Sequence, residues 1–260
     1  MKIFPESKLA HKYLDGLVGL EIGGSIHNPF GLNTKNVDYT DSSDTVFKRE
    51  EMDKRGTFLP VDIIAYGDNI PVPNDSYDFI VSSHVLEHFP DPIKALKEWY
   101  RIVKNGGYIF MIVPHKERMF DRNKPRTTVA ELLHRHETKK YPESQSNHYS
   151  FWVTEDILDL IAEINLDWKV VDFQDVDDKV GNGFSIVIKK EKRDAEKDKK
   201  INAIIKYFKE KKERENRSWK KIMKIYRAKE LWHNTVREYK KSGIKGIVRR
   251  MPYMYKWEKK

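Results

Sequence analysis

Asp68-Asn69-Ile70-Pro71-Val72-Pro73-Asn74-Asp75-Ser76-Tyr77-Asp78-Phe79-Ile80-Val81-Ser82-Ser83-His84-Val85-Leu86-Glu87-His88 is the stretch on which the fold turns. Its centre, Tyr77 to Val81, is a short apolar run entered from Pro73-Asn74-Asp75-Ser76, a cluster of turn-forming residues, and so reads as a strand. After Phe89-Pro90-Asp91, the segment Pro92 to Val103 has helical spacing, with Pro92 suited to the first turn. Asn105-Gly106-Gly107 supplies a left-handed stop to that helix. Tyr108 to Val113 is then nearly all apolar, as a strand covered on both faces should be. Strand, helix and strand in this order make one right-handed crossover of a parallel sheet.

Working outward, the same grammar recurs. Lys8 to Leu17 is helical, with Leu9, Tyr13 and Leu14 on one side. Val18-Gly19-Leu20-Glu21-Ile22 is a strand that opens into the glycine turn Gly23-Gly24-Ser25. Further strands are predicted at Asn36–Tyr39 and Val61–Ala65, and a helix at Thr154–Ile164 with Thr154 as its N-cap. The last two strands, Trp168–Phe173 and Gly183–Ile188, are separated only by turn residues and should pair antiparallel. The expected fold is a Rossmann-like α/β domain. It has a seven-stranded, mostly parallel sheet whose last strand is antiparallel at the edge, plus a C-terminal α-helical extension.

Composition sets the outer limits. A hydrophobic fraction of 39% and an aromatic fraction of 12% over 260 residues describe a globular chain with one core. No run of about 18 apolar residues is present, and the N-terminus lacks a signal-peptide pattern, so a cytoplasmic location is expected. With no cysteine, disulfides, thiolate zinc sites and a cysteine nucleophile are excluded. Charge divides the chain into two domains, 1–190 and 191–260. The second carries 25 Lys and Arg against 10 Asp and Glu, whereas the first carries 24 against 30. In the basic tail, Ile201, Ile204, Ile205 and Phe208, then Trp219, Ile222, Met223 and Tyr226, repeat at helical spacing among lysines. Gly243 to Trp257 mixes apolar, aromatic and basic residues, which suits an anionic membrane surface. Nucleic-acid phosphates would suit it equally, but no recognised nucleic-acid-binding module accompanies it, so that partner ranks lower. A helical hairpin on the domain, a partner protein or a homo-oligomer contact is the packing alternative.

Candidate site residues collect at the ends of the parallel strands, where ligands bind in such sheets. Glu21, Gly23 and Gly24 form the first turn, where glycine admits a close ligand and a following helix N-terminus offers free N–H groups. Asp38, at the end of the second strand, is placed to accept from ribose hydroxyls, with Asp41 a nearby competitor.

The ordered run from Asp68 to His88, continued by Arg101-Ile102-Val103-Lys104-Asn105-Gly106-Gly107, resembles the class I S-adenosylmethionine-dependent methyltransferases of the type 11-like branch. With the first strand included, the resemblance covers about Val18 to Pro114. It implies S-adenosyl-L-methionine as cofactor, with Gly23 against its amino-acid end and Asp38 on its ribose. Asp62, or the Gly67-Asp68 turn, then meets the adenine, and Ser83 and His84 line the methionine end. Leu86 is assigned to the core, and Glu87 and His88 to helix-start structure. The third glycine usual in this family is missing from Ser25-Ile26-His27-Asn28-Pro29, which implies a differently shaped site.

Beyond Pro114, His115-Lys116-Glu117-Arg118-Met119-Phe120-Asp121-Arg122, Arg126-Thr127-Thr128, Leu132-Leu133 and His148-Tyr149 are similar to a smaller set of these enzymes, often found beside sugar-polymer glycosyltransferases. That likeness implies O-methylation of a sugar hydroxyl in a surface glycan or its precursor. The acceptor would be a glycan or nucleotide sugar, with a glycosyltransferase or the inner membrane face as docking partner. A hydroxyl acceptor needs a base, and an imidazole titrating near neutrality can serve. His115 is the first choice, with Asp121 orienting it or binding a divalent metal, and His148 is the second; no metal-ligand set is assigned. RNA or a small metabolite as substrate, and a non-catalytic assembly role, stand as alternatives. The chain lacks an Asn-Pro-Pro-Tyr-like tetrad after the fourth strand, which counts against amino methylation of bases.

Overall fold

The structure is a computed structural model and describes residues 4–145 and 147–191. The basic tail beyond them, with its expected amphipathic helices, lies outside the described residues. Seven strands form one sheet: β1 (Gly19–Ile22), β2 (Thr34–Asp38), β3 (Ile63–Ile64), β4 (Tyr77–Ser83), β5 (Val103–Pro114), β6 (Trp168–Gln174) and β7 (Gly183–Lys190). Their order is β3-β2-β1-β4-β5-β7-β6. β1 to β5 run parallel, and β7 is antiparallel to both β5 and β6. The reversed strand is therefore interior, and β6 rather than β7 is the edge. Joined by a turn, β6 and β7 can only be antiparallel neighbours, and the fully buried Phe184, Ile186 and Ile188 of β7 place it inside the sheet.

Two layers of helix close the sheet. α1 (Lys8–Leu14), capped by Ser7, sets Leu9, Ala10 and Leu14 into a cluster with Phe30, Phe79, Val81, Phe110, Ile112 and Val187. α3 (Pro92–Ile102) buries Ile93, Ala95, Leu96, Trp99 and Ile102. Asp91 caps it by accepting from the Lys94 N–H, with Pro92 at the position where a missing N–H costs nothing. α4 (Val129–Thr138) and α5 (Thr154–Glu163) complete the helical layers, and α2 (Val46–Arg55) follows β2. Neither α2 nor α4 was expected from the sequence.

Three local expectations are corrected. No helix follows the glycine turn: residues 23–33 join β1 to β2 through turns alone. Pro29 disfavours helical backbone at Asn28, and the Gly23 and Gly24 N–H groups donate to Val37 O and Asn36 Oδ1 instead. Gly106 and Gly107 do not stop α3, whose cap residue is Val103. They lie within β5, where Gly106 has φ +84° and the pairing with β4 shifts register between Tyr77 and Phe79. α5 begins at Thr154, so Val153 is its cap residue, and the Val153 N–H donates to Asp156 Oδ2.

Candidate active site at the carboxyl ends of the strands

Strand order reverses between β1 and β4, and a crevice at the carboxyl ends of such strands is where ligands bind. Gly23 leaves β1 at φ +66°, and a Cβ there would come within 2.9 Å of Val85 Cγ2. Across the gap Asn28 Nδ2 donates to Ser83 Oγ at 3.2 Å. The loop 23–33 thus bridges the switch point. Three buried polar atoms there, Asn28 Oδ1, Ser82 Oγ and His84 Nε2, have no hydrogen-bond partner among the described residues. His84 also holds a left-handed φ of +55°, the kind of strain that collects at functional sites.

Asp38 ends β2. One carboxylate oxygen accepts from the Tyr39 N–H at 2.8 Å, and the other lies 3.3 Å from the ammonium of buried Lys48 on α2. Next to it, exposed Tyr39 stacks with exposed Tyr66 beyond β3, ring centroids 6.3 Å apart and planes 16° from parallel. Two flat rings beside a strand-end carboxylate fit a nucleoside, and the sequence reading missed both. Period-2 patterning identifies strands but does not mark the first residue past a strand end.

The remaining expected cofactor residues divide. Gly67 packs beneath the crevice, its carbonyl accepting from Trp99 Nε1, and a Cβ there would strike Ile22 and Phe89. Asp68 pairs with Lys94 at 3.0 Å. Asp62 is not brought to the strand ends. It precedes β3 and accepts the Asn36 N–H at 2.7 Å, so its carboxylate serves the β2 edge. Glu21 is buried on β1, where its one described hydrogen bond comes from Thr34 Oγ1, and burial pushes its carboxyl up to about 7.

The acceptor side is built around Leu86–His88, one turn of 3-10 helix after β4. Leu86 is core and Glu87 and His88 lie in the helical turn before α3, both as expected, and the latter two also add polar side chains to the candidate site. Glu87 is 1% exposed, and burial pushes its carboxyl up to about 8. Burial also pushes the His84 imidazole down to about 4 and lowers that of His88. His148 reaches this group from a tight turn in which Gln145 and His148 exchange backbone hydrogen bonds around left-handed Asn147. The Tyr149 N–H donates to Glu87 O, and Arg135 of α4 holds Tyr149 O and Ser150 Oγ. Asp121 Oδ2 accepts from His148 Nδ1 at 2.7 Å, with both side chains buried, so the second-choice histidine is the one seen paired with it. The His148 ring stands 4.9 Å from that of His88. His115 stays buried at the end of β5, its ring edge-on to Phe184 and its N–H on Asn182 O. Exposed Phe47 packs against His88 and exposed Phe120 against His148, forming two aromatic lips.

Sheet order, glycine turn, strand-end carboxylate and aromatic pair define an α/β protein with a nucleoside-type ligand site at its switch point. A family model described as a methyltransferase domain matches residues 18–169, more than half of the chain, so the chain belongs to that family. S-adenosylmethionine is the cofactor this implies, and the residues present fit it. Gly23 turns out of β1 with a left-handed φ that glycine adopts freely, unpaired polar atoms collect at the switch point, and Asp38 stands beside two flat rings. Among curated proteins, 47 residues are 40% identical to 2-methyl-6-phytyl-1,4-hydroquinone methyltransferase 2, chloroplastic, of Oryza sativa subsp. japonica, covering 18% of this chain and 14% of that protein. An uncharacterized protein of Methanocaldococcus jannaschii is 30% identical over 116 residues, 42% of this chain and 52% of that protein. The matched stretches thus span from about one-seventh to about half the length of these two relatives. A solved SAM-dependent methyltransferase from Thermotoga maritima, described as a possible histamine N-methyltransferase, is 22% identical with a TM-score of 0.43, covering 69% of this chain and 84% of that one.

Proposed function

We propose that the protein transfers the methyl group of S-adenosylmethionine to an oxygen acceptor, a sugar hydroxyl of a surface glycan or its precursor. The observation that carries this reading is the polar cluster of Glu87, His88, His148 and Asp121 at the end of β4, beside the switch point. An alkyl hydroxyl must lose its proton as its oxygen takes the methyl carbon and the carbon–sulfur bond of the sulfonium breaks. Imidazoles and carboxylates held in reach of the acceptor are what that step requires. The lips formed by Phe47 and Phe120 support a sugar acceptor, because the electron-rich face of an aromatic ring attracts a pyranose C–H face. The test is a transfer assay with methyl-labelled S-adenosylmethionine against nucleotide sugars, oligosaccharides and quinols. Label in an O-methyl sugar is the expected result. Label in a quinol alone would replace this reading with an acceptor of the class named for the rice relative.

A further inference from the structure

Glu87, His88 and His148 each present one ligand atom, and those atoms all lie within 4.8 Å of one another. Glu87 Oε1 is 3.8 Å from His88 Nε2 and 3.9 Å from His84 Nδ1. Both histidines of the trio are oriented by their other nitrogen. His88 Nδ1 meets the Asn147 carbonyl at 2.8 Å, and His148 Nδ1 meets Asp121 at 2.7 Å. Each is left with Nε2 for a ligand. A carbonyl or carboxylate behind each imidazole is the outer shell that metal-binding histidines carry.

A purely structural hydrogen-bond network would account for those contacts but not for what it leaves over. Glu87 Oε2 is buried in this cluster without a hydrogen-bond partner among the described residues, as is Asp121 Oδ1 behind His148. A buried orphan of this kind costs about 1–3 kcal/mol, so the free oxygen of Glu87, which stands among the ligand atoms, needs a partner of another kind. The described ion pairs give Glu87 no lysine or arginine; its titratable neighbours are His84, His88 and Asp121. A cation supplies what is missing.

We propose that Glu87, His88 and His148 bind a divalent transition-metal ion of the zinc or manganese type, which activates the acceptor hydroxyl. Two imidazoles and one carboxylate suit zinc best and, through the carboxylate, admit manganese, whereas magnesium prefers an all-oxygen shell. Metal–ligand bonds of about 2.0–2.2 Å bring tetrahedral ligands to about 3.4 Å apart, so the side chains close inward by an ångström or so. The proposal rests on the oxygen-acceptor reading above. It assigns that site its means of activation: the ion lowers the pKa of a hydroxyl bound to it, and the proton leaves to water. The oxygen then bonds the methyl carbon, and the electron pair of the broken carbon–sulfur bond stays on sulfur.

The full chain, stripped with a chelator and dialysed, is titrated separately with Zn²⁺, Mn²⁺ and Mg²⁺, and bound metal is measured by elemental analysis. One equivalent of zinc or manganese per chain is expected, with magnesium at least 100-fold weaker. Glu87→Gln should lower the affinity at least 100-fold, and Asp121→Asn, which disturbs only the orientation of His148, about 10–100-fold. If Glu87→Gln does not fold, His88→Ala, whose side chain is partly exposed, carries the test with the same expected loss. Absence of stoichiometric binding, a preference for magnesium, or unchanged affinity in these variants overturns the metal site. Metal binding without methylation of any hydroxyl keeps the site and removes the proposed function. Hydroxyl methylation that persists in metal-free protein and is lost in His148→Ala removes the metal and leaves the His148–Asp121 pair as proton acceptor.

Discussion

Glu21 was legible in the sequence as a polar residue at the mouth of a glycine turn, but not as a buried acid whose pKa is raised to about 7. That property comes from its burial on β1, and no local pattern announces it. Its sign on stability follows from linkage. Below pH 4.5 the carboxyl is protonated folded and unfolded, and nothing is lost. Between 4.5 and about 7 only the unfolded chain ionises it, so stability falls as pH rises, by about 3 kcal/mol at full extent. Glu21→Gln should therefore match the wild type near pH 4.5 and be more stable at pH 8 by a large part of that amount, as read from urea unfolding at the two values. Asp62 shows the opposite failure of legibility. The family resemblance implied that this acid of the third predicted strand meets the adenine, yet it accepts the Asn36 N–H. Asp62→Ala should cost about 1–3 kcal/mol in unfolding free energy and leave cofactor affinity within about twofold, because the group it abandons is a backbone amide. A tenfold loss of cofactor affinity at unchanged stability would return Asp62 to the site.

The elements that sequence reading located best are those whose hydrophobic pattern is set by burial on two sides. β5 and β7 are examples, and α3, with one sharply inward stripe, was located as well; their cores lie where periodicity placed them. α2 escaped because Val46, Phe47 and Met52 are exposed, so its apolar residues draw no inward stripe. α4 escaped because its inward side includes Arg135, a charged residue buried to hold the turn that carries His148. The glycines at the start of β5 were read for left-handed freedom, which of the two only Gly106 uses, and attached to the wrong element. Substitution separates the two glycines. A Cβ on Gly107 would sit 2.3 Å from the Asp78 carbonyl oxygen, a rigid neighbour, whereas one on Gly106 meets open space and only the strain of its positive φ. Gly106→Ala should cost about 1–2 kcal/mol. Gly107→Ala should cost at least about 3, since the strand pairing of β4 with β5 must shift. Equal melting temperatures for the two variants would contradict this account of the bulge.

At the scale of the molecule, the charge division remains the plainest feature of the sequence, and residues 192–260, which hold most of the positive charge, lie outside the described structure. Among the described residues no helix is long and apolar enough to cross a membrane. The proposed role for the tail is docking on an anionic membrane surface, where each basic residue near the headgroups contributes about 1 kcal/mol. A chain ending at Glu191 should keep the sheet but lose flotation with anionic liposomes. The full chain's flotation should weaken steeply with salt, since screening acts beyond about 10 Å at 0.1 M. A full chain that ignores liposomes, or a truncated one that still floats, contradicts the docking role. The central claim is that the crevice between β1 and β4 holds S-adenosylmethionine, with Asp38 on its nucleoside. Calorimetric titration of the full chain tests it most directly. One site per chain is expected, at about −7 to −8 kcal/mol, weakened by about 1.5–3 kcal/mol in Asp38→Ala. A chain that binds neither S-adenosylmethionine nor its demethylated product, or an Asp38→Ala variant that binds as tightly as the wild type, would contradict it.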